Sequence, residues 1–479
     1  MVHARVGNVP RRFRGGLGWA GRTAHGGSMA LKYKVLIGIA VFGALVVTPA
    51  VTFLAMYSTD EPPHDDSDLR LTLPDVPDHL NAYPLLVEAS EKVYWPEDDA
   101  TKEKLDRMLA GGPWDAALAR DVLERNREAL ALFEKAMARP HCRFPKFRSY
   151  DETPSVYPSY QIGNILPIRS GQERADGSPE AALDTAITQV RFADRLERAK
   201  GSLMCYWVGQ GVRWTGYAQI RRLATEATLP PAKWRDYAVC LGALPPAPEA
   251  LADALRVEYG LCSEFVDGLR SGKYDPRELG ALPFHVIPFL PYTLHVNRTK
   301  HLLADAARTG IEAAGQPYCE ALPAIRAWRK RLGATRSASW LPHKFRPNAL
   351  GWAVFQGLLS DPRSLTEHRC GVAVSGAVTQ AMLGLKAYKT RHGRLPQTLD
   401  DLVPEHLKAV PLDAFDGKPI RYDPTKRILY SVGKDGADGG GLSKEEQQAW
   451  WKREFSYEAE DDPIPDVSRM PDPSYTIDF

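Results

Sequence analysis

The chain has 479 residues, 44% hydrophobic and 25% charged, an ordinary globular composition with length for about two or three domains. Its formal charge of +2 hides an asymmetry. Seven of the 61 basic residues lie at or before Lys34, which leaves 54 against 59 acids, a net of −5, in the rest of the chain. That balance, spread without blocks, argues against nucleic acid as a partner.

Residues 1–34 form a basic tail carrying Arg5, Arg11, Arg12, Arg14, Arg22, Lys32 and Lys34, and Met29 is a second candidate start. Val35 to Tyr57 follows as 23 residues without a charge. That length crosses a hydrocarbon core of about 30 Å at about 1.5 Å per residue. No A-x-A-like cleavage site follows, so residues 35–57 read as a retained signal anchor. The basic flank before it and Asp60, Glu61, Asp65, Asp66 and Asp68 after it predict a single pass through the inner (cell) membrane. The N-terminus is then cytoplasmic and the bulk periplasmic, with the bilayer as the first partner. Residues 58–75, acidic and without apolar periodicity, read as a linker that lifts the body off the membrane.

Residues 76–361 read as an α-helical domain. Tyr83, Leu86 and Val87 open one helix, and residues 114–138 predict one long amphipathic helix on Leu118, Val122, Leu130 and Phe133. Residues 143–170 hold Pro145, Pro154, Pro158 and Pro167 among Tyr150, Tyr157 and Tyr160, the composition of an ordered, aromatic-packed loop. Ser178 and Pro179 start the next helix, and another runs from Leu203 to about Ala227, where Gly209, Gly211 and Gly216 predict close helix approach. Pro248–Leu269 is a further helix. Residues 280–295 read as a buried linker, and Asn297 as the cap of the helix after it. Paired helices at this pitch predict an α-hairpin, repeat-like array. The six cysteines form no C-x-x-C pair, so both one to three disulfides and buried free thiols fit them.

Residues 362–446 read as a separate small α+β domain. Val374, Val378, Met382, Leu385 and Tyr388 make one helical stripe, stopped by His392-Gly393. Pro396, Leu399, Leu402 and Val403 predict a short second helix. Ile420–Tyr422 and Ile428–Tyr430 predict an antiparallel hairpin about an Asp423–Lys426 turn. The glycine-rich loop Gly433–Gly441 closes the stretch with Asp435 and Asp438, and residues 447–479 form a C-terminal tail. Within that end of the chain, Ser443 and Glu446 match a capping box for a helix bearing Trp450, Trp451 and Phe455.

This order of parts resembles the C-terminal half of the type II secretion major pseudopilin. The resemblance rests on Tyr388, His392-Gly393, Leu395-Pro396, Leu399, Leu402-Val403, Pro411–Asp413, Phe415, Gly417, Tyr422, Tyr430–Gly433, Asp435-Gly436 and Asp438-Gly439. As a whole the chain also resembles a group of anchored envelope proteins from planctomycete-type bacteria. The resemblance implies a calcium site with the side chains of Asp435 and Asp438, backbone carbonyls of Ser431, Val432 and Gly433, and a downstream acidic segment for which Asp461 and Asp462 are the candidates. A tight loop of this kind suits calcium, which takes about six to eight hard oxygens. Pseudopilins also carry a glutamate near the start of a membrane helix continuous with the fold. Val35–Ile39 offers none, so polymerisation into a pilus-like fibre is not expected.

Motifs for chemistry are otherwise missing. No G-x-S-x-G, H-E-x-x-H or phosphate-binding glycine loop occurs, and Ser375 lies inside a helical stripe. The chain therefore reads as a non-enzymatic, membrane-anchored structural or interaction protein. An accessory part of a type II secretion or pilus-like machine, with envelope or secretion proteins as partners, is one alternative, and an envelope hydrolase is the other.

Overall fold

The computed structural model describes residues 26–71, 75–275, 294–337, 347–454 and 472–479. The chain divides into two units, residues 1–59 and 60–479.

In the first unit, α1 (Gly26–Phe42) runs through a π-helical turn (Gly43–Val47) into α2 (Thr48–Ser58). Pro49 accounts for the widened turn. It has no N–H to give and its ring crowds the carbonyl four residues back. In the π turn the Thr48 N–H and its hydroxyl both donate to the Gly43 carbonyl, the hydroxyl at 3.0 Å. Lys32–Thr52 is long and apolar enough to cross a membrane, and none of it is buried.

The second unit is mainly helical with one small antiparallel sheet. Its first residues are not a free linker. The Asp60 carboxylate accepts from the N–H groups of Asn297 and Arg298 at 2.8 and 3.1 Å, Asp68 pairs with Arg308 at 2.7 Å, and Leu69 is buried beside Tyr259 and Phe265. The acids that suggested a solvated spacer are engaged with helix ends and arginines.

The helices that follow are α3 (Tyr83–Glu91), α4 (Asp99–Leu109), α5 (Ala116–Arg125), α6 (Arg127–Met137) and α7 (Tyr157–Ala175). The single helix expected over 114–138 is broken at Asn126. This buried side chain donates to the Tyr94 and Val122 carbonyls at 2.9 and 2.8 Å and accepts from Tyr94 N–H at 2.9 Å. The proline-rich loop expected over 143–170 ends in α7. Pro158 sits in its first turn, where the missing N–H costs nothing, and Pro167 is absorbed in its interior. Tyr157 and Tyr160 stay exposed, and Tyr150 is drawn to Glu258, its hydroxyl 2.7 Å from the carboxylate.

Next come α8 (Pro179–Glu197), α9 (Leu203–Glu226), α10 (Pro231–Gly242), α11 (Pro248–Ser271), α12 (Val296–Ala314), α13 (Tyr318–Ser337) and α14 (Ala349–Leu358). α7 packs on α8, α8 on α9 and α11 on α12. A β-carbon on Gly216 would stand 2.9 Å from Val190 and one on Gly209 2.8 Å from Glu197, so both glycines set the α8–α9 approach, whereas Gly211 faces open space. Ser178 precedes α8 without a side-chain cap, and α12 takes its cap from Asp60 and not from Asn297. The linker expected over 280–295 lies mostly outside the described residues. All six cysteines are free thiols.

α15 (Pro362–His392) is the axis of the C-terminal part. Asp361 caps its start by accepting from Arg363 N–H at 2.9 Å, and Gly393 ends it in the left-handed conformation, φ 70°. Its apolar length is buried, which marks a core helix and not a second span. α9 and α10 cover part of it and the sheet another. β1 (Arg421–Asp423), β2 (Ile428–Tyr430) and β3 (Ser474–Thr476) form that sheet in the order β1-β2-β3. Leu429 stands opposite Tyr422 on one side and Tyr475 on the other. The expected hairpin thus has a third strand from the tail. One apolar core joins Val190, Tyr217 and Trp234 to Val378, Leu385, Leu402, Phe415, Leu429 and Ile477, across the boundary read at 361/362. α16 (Lys444–Glu454) begins with the expected capping box, Ser443 N–H donating to Glu446 at 2.7 Å.

Candidate functional site

Beyond α15 the chain turns through a short 3-10 helix, Leu399–Leu402, held by a reciprocal Thr398–Asp401 cap. It then reaches Asp413, a fully buried carboxylate that organises the rest. Asp413 accepts from Phe415 N–H at 2.9 Å, Ser431 Oγ at 2.9 Å, Val432 N–H at 3.0 Å and Arg421 Nη1 at 2.9 Å. Burial pushes its pKa up, against the pull of these donors. Arg421 also grips Asp416 and stands 3.6 Å from Asp438. One arginine therefore ties the β1 edge, the turn before it and the glycine loop together.

The loop itself needs glycine. Gly433, Gly436, Gly440 and Gly441 have φ of 61°, 71°, 81° and 61°, conformations costly for residues with a β-carbon. Asp435 and Asp438 each accept a backbone N–H two residues on, from Ala437 at 3.0 Å and Gly440 at 3.1 Å, and both carboxylates are exposed. Opposite them lies Asp472, nearly buried, accepting Gly441 N–H at 3.2 Å. A β-carbon on Gly439 would fall 2.4 Å from the Asp472 carboxylate, so bare backbone is required there. Burial raises the Asp472 pKa, and the charges of Asp435 and Asp438 add to it. Three acids therefore address one loop from two segments of the chain.

The structure sorts the sequence candidates. Asp435 and Asp438 lie in the loop together. Of the backbone candidates, Ser431 and Val432 direct their hydroxyl and N–H to Asp413, Gly433 N–H donates to Ser431 Oγ at 3.0 Å, and the Gly433 carbonyl accepts Gly436 N–H at 3.4 Å. Asp461 and Asp462 lie outside the described residues. Asp472 is the residue that sequence reading missed. It stands far down the chain between two prolines, in a segment with no apolar period, and only the pairing of β3 with β2 carries it to the loop. Lys426 competes for the same space, its ammonium donating to the Gly440 and Gly441 carbonyls at 3.0 and 2.7 Å.

Asp435, Asp438 and Asp472 do not bring their carboxylate oxygens all within 4.8 Å of one another, so in this structure they surround the loop without converging on one point. A calcium ion at this loop would need these acids to draw closer, with Asp435 and Asp438 giving up the backbone N–H groups they now accept.

The helical body has a polar centre of another kind. Arg213 of α9 and Glu197 of α8 are both fully buried and bond in a two-pronged pair at 2.7 and 2.8 Å, joined by Gln210 at 2.8 Å and the Leu244 carbonyl at 2.7 Å. Burial works against both charges, and the two-pronged geometry keeps them as an ion pair. Saturated by neighbours, it is a structural tie between helices. Ser375 is likewise buried within α15, where its hydroxyl accepts from Arg221 at 2.9 Å.

No family model, curated protein or solved structure matches the chain.

Proposed function

We propose that the chain is a single-pass, membrane-anchored protein whose extracytoplasmic body acts as a structural or protein-docking element, ending in a pseudopilin-like, calcium-binding part. The carrying observation is the unburied apolar helix Lys32–Thr52, preceded by basic residues and followed by acids that engage the body. An apolar helix with no protein cover suits lipid, and the charge asymmetry orients it with the N-terminus in the cytoplasm. The succession of long helix, short helix, antiparallel sheet and glycine loop supports the pseudopilin-like reading, and Asp435 and Asp438 in that loop support the calcium reading. α15 departs from a pseudopilin stem in being buried by α9 and α10, which favours docking over polymerisation.

The test is topology together with capture. Protease added to right-side-out spheroplasts is expected to degrade the body while an N-terminal epitope stays protected. The detergent-solubilised chain is expected to retain envelope proteins through its body. Protection of the body from protease overturns the reading.

A further inference from the structure

A group of metal-ligating side chains lies about the short 3-10 helix. His392 is the last residue of α15, and Gly393 turns the chain away. The 3-10 helix then returns it, so that Glu405 and His406 come back beside His392. Candidate ligand atoms of the three residues all lie within 4.8 Å of one another. The return is fixed at its base. His406 N–H donates to the Leu402 carbonyl at 2.8 Å, and Leu407 packs where a β-carbon on Gly384 of α15 would stand 2.9 Å from it. The tyrosine ring of Tyr388 backs the cluster, its centroid 4.3 Å from that of His392 and 5.6 Å from that of His406.

His406 supplies the independent observation. Only 3% of it is exposed, and its Nε2 has no hydrogen-bond partner. Buried polar atoms in folded proteins are nearly always partnered, so a ring nitrogen left alone at that depth calls for an explanation. Nearby, Arg391 forms an ion pair with the exposed Glu405.

We propose that His392, Glu405 and His406 form a site for a divalent transition ion of the zinc type. Two imidazoles and one carboxylate suit zinc or cobalt better than calcium or magnesium, which prefer oxygen throughout. Three protein ligands leave the fourth tetrahedral position to water or to a group from a partner. Arg391 acts as the outer support, holding one Glu405 oxygen while the other faces the ion. The bound ion fastens the C-terminal end of α15 to the segment after the 3-10 helix. It is separate from the loop of Asp435, Asp438 and Asp472 in both residues and chemistry.

The test uses the full chain in detergent, purified without a polyhistidine tag and stripped of metal. Cobalt(II) added alone is expected to give visible ligand-field absorption, and zinc(II) to displace it and raise the melting temperature. His392→Ala and Glu405→Gln alter exposed residues, so both variants should keep the wild-type far-ultraviolet circular dichroism. Each is expected to weaken zinc binding by more than ~100-fold, beyond the roughly 10- to 100-fold loss usual for an outer-shell change. Asp435→Ala is expected to leave zinc binding unchanged. Zinc affinity equal to wild type in both His392→Ala and Glu405→Gln overturns the site, as does a wild-type chain whose melting temperature is the same in zinc and in chelator.

Discussion

Single residues carry most of the chemistry. Asp435 and Asp438 are legible because two acids among glycines stand out from any helical or strand pattern. Asp472 is not, because nothing local links it to a loop some thirty residues earlier in the sequence. Calcium is expected to raise the melting temperature of the full chain. If it binds only the folded state, the gain is about 2.7 kcal/mol when calcium exceeds its Kd about a hundredfold. Magnesium is expected to do less, since it demands smaller octahedral geometry. Both Asp435→Ala and Asp472→Asn are expected to abolish most of the calcium shift; an unchanged shift in Asp472→Asn would remove that residue from the site. The buried residues Asp413, Glu197 and Arg213 were equally hidden. A charged residue in a sequence gives no sign that its partner waits on the next helix.

At the scale of elements, helices with an unbroken apolar stripe were legible and those shaped by a polar partner were not. α8 and α11 announce themselves by period and by proline at the first turn, and α9 by its length between Gly201 and Pro230. The break between α5 and α6 depends on Asn126 finding Tyr94, and α7 hides behind prolines that elsewhere end helices. The segment from Asp60 to Leu69 looked like solvated spacer because its acids have partners only in the folded state. Its docking is expected to respond to acid through His64. That ring stacks on His301 at 4.8 Å and lies 3.2 Å from the Tyr259 hydroxyl. Burial, then the neighbouring His301 and Arg308, hold its pKa below the ordinary 6.5, while Asp66 and Asp305 pull the other way. A folded-state histidine pKa below the unfolded value means that the unfolded chain binds more protons between the two. Stability is therefore full above the ordinary value of 6.5 and falls as the pH drops from there toward the folded value. Melting curves across this range are expected to show the decline, and His64→Gln to flatten it. A variant with the wild-type pH slope would assign the decline elsewhere.

On the scale of the whole molecule, the mainly helical class and the small sheet were legible, and the partition of the body was not. Chain order suggested a helical domain followed by a self-contained module, yet α15 is buried by α9 and α10 as well as by the sheet, and its core is common to both parts. A fragment of residues 362–446 lacks those helices and β3, and is expected to show no cooperative urea transition, whereas residues 60–479 should unfold in one. A sharp transition in the fragment would restore the boundary. The third strand also changes the standing of the chain that precedes it. Gly441 N–H reaches Asp472, and Leu442 N–H reaches Ser474 Oγ at 2.9 Å, so the end of the glycine loop is fastened to the start of β3. α16 is tied down as well, Lys444 pairing with Asp478 at 2.8 Å and the buried Gln447 donating to the Leu442 carbonyl at 2.8 Å. Residues 472–479 therefore act as a clasp: a chain truncated before Asp472 would lose the acceptors of two loop N–H groups, the partner of Lys444 and the outer strand of the sheet together.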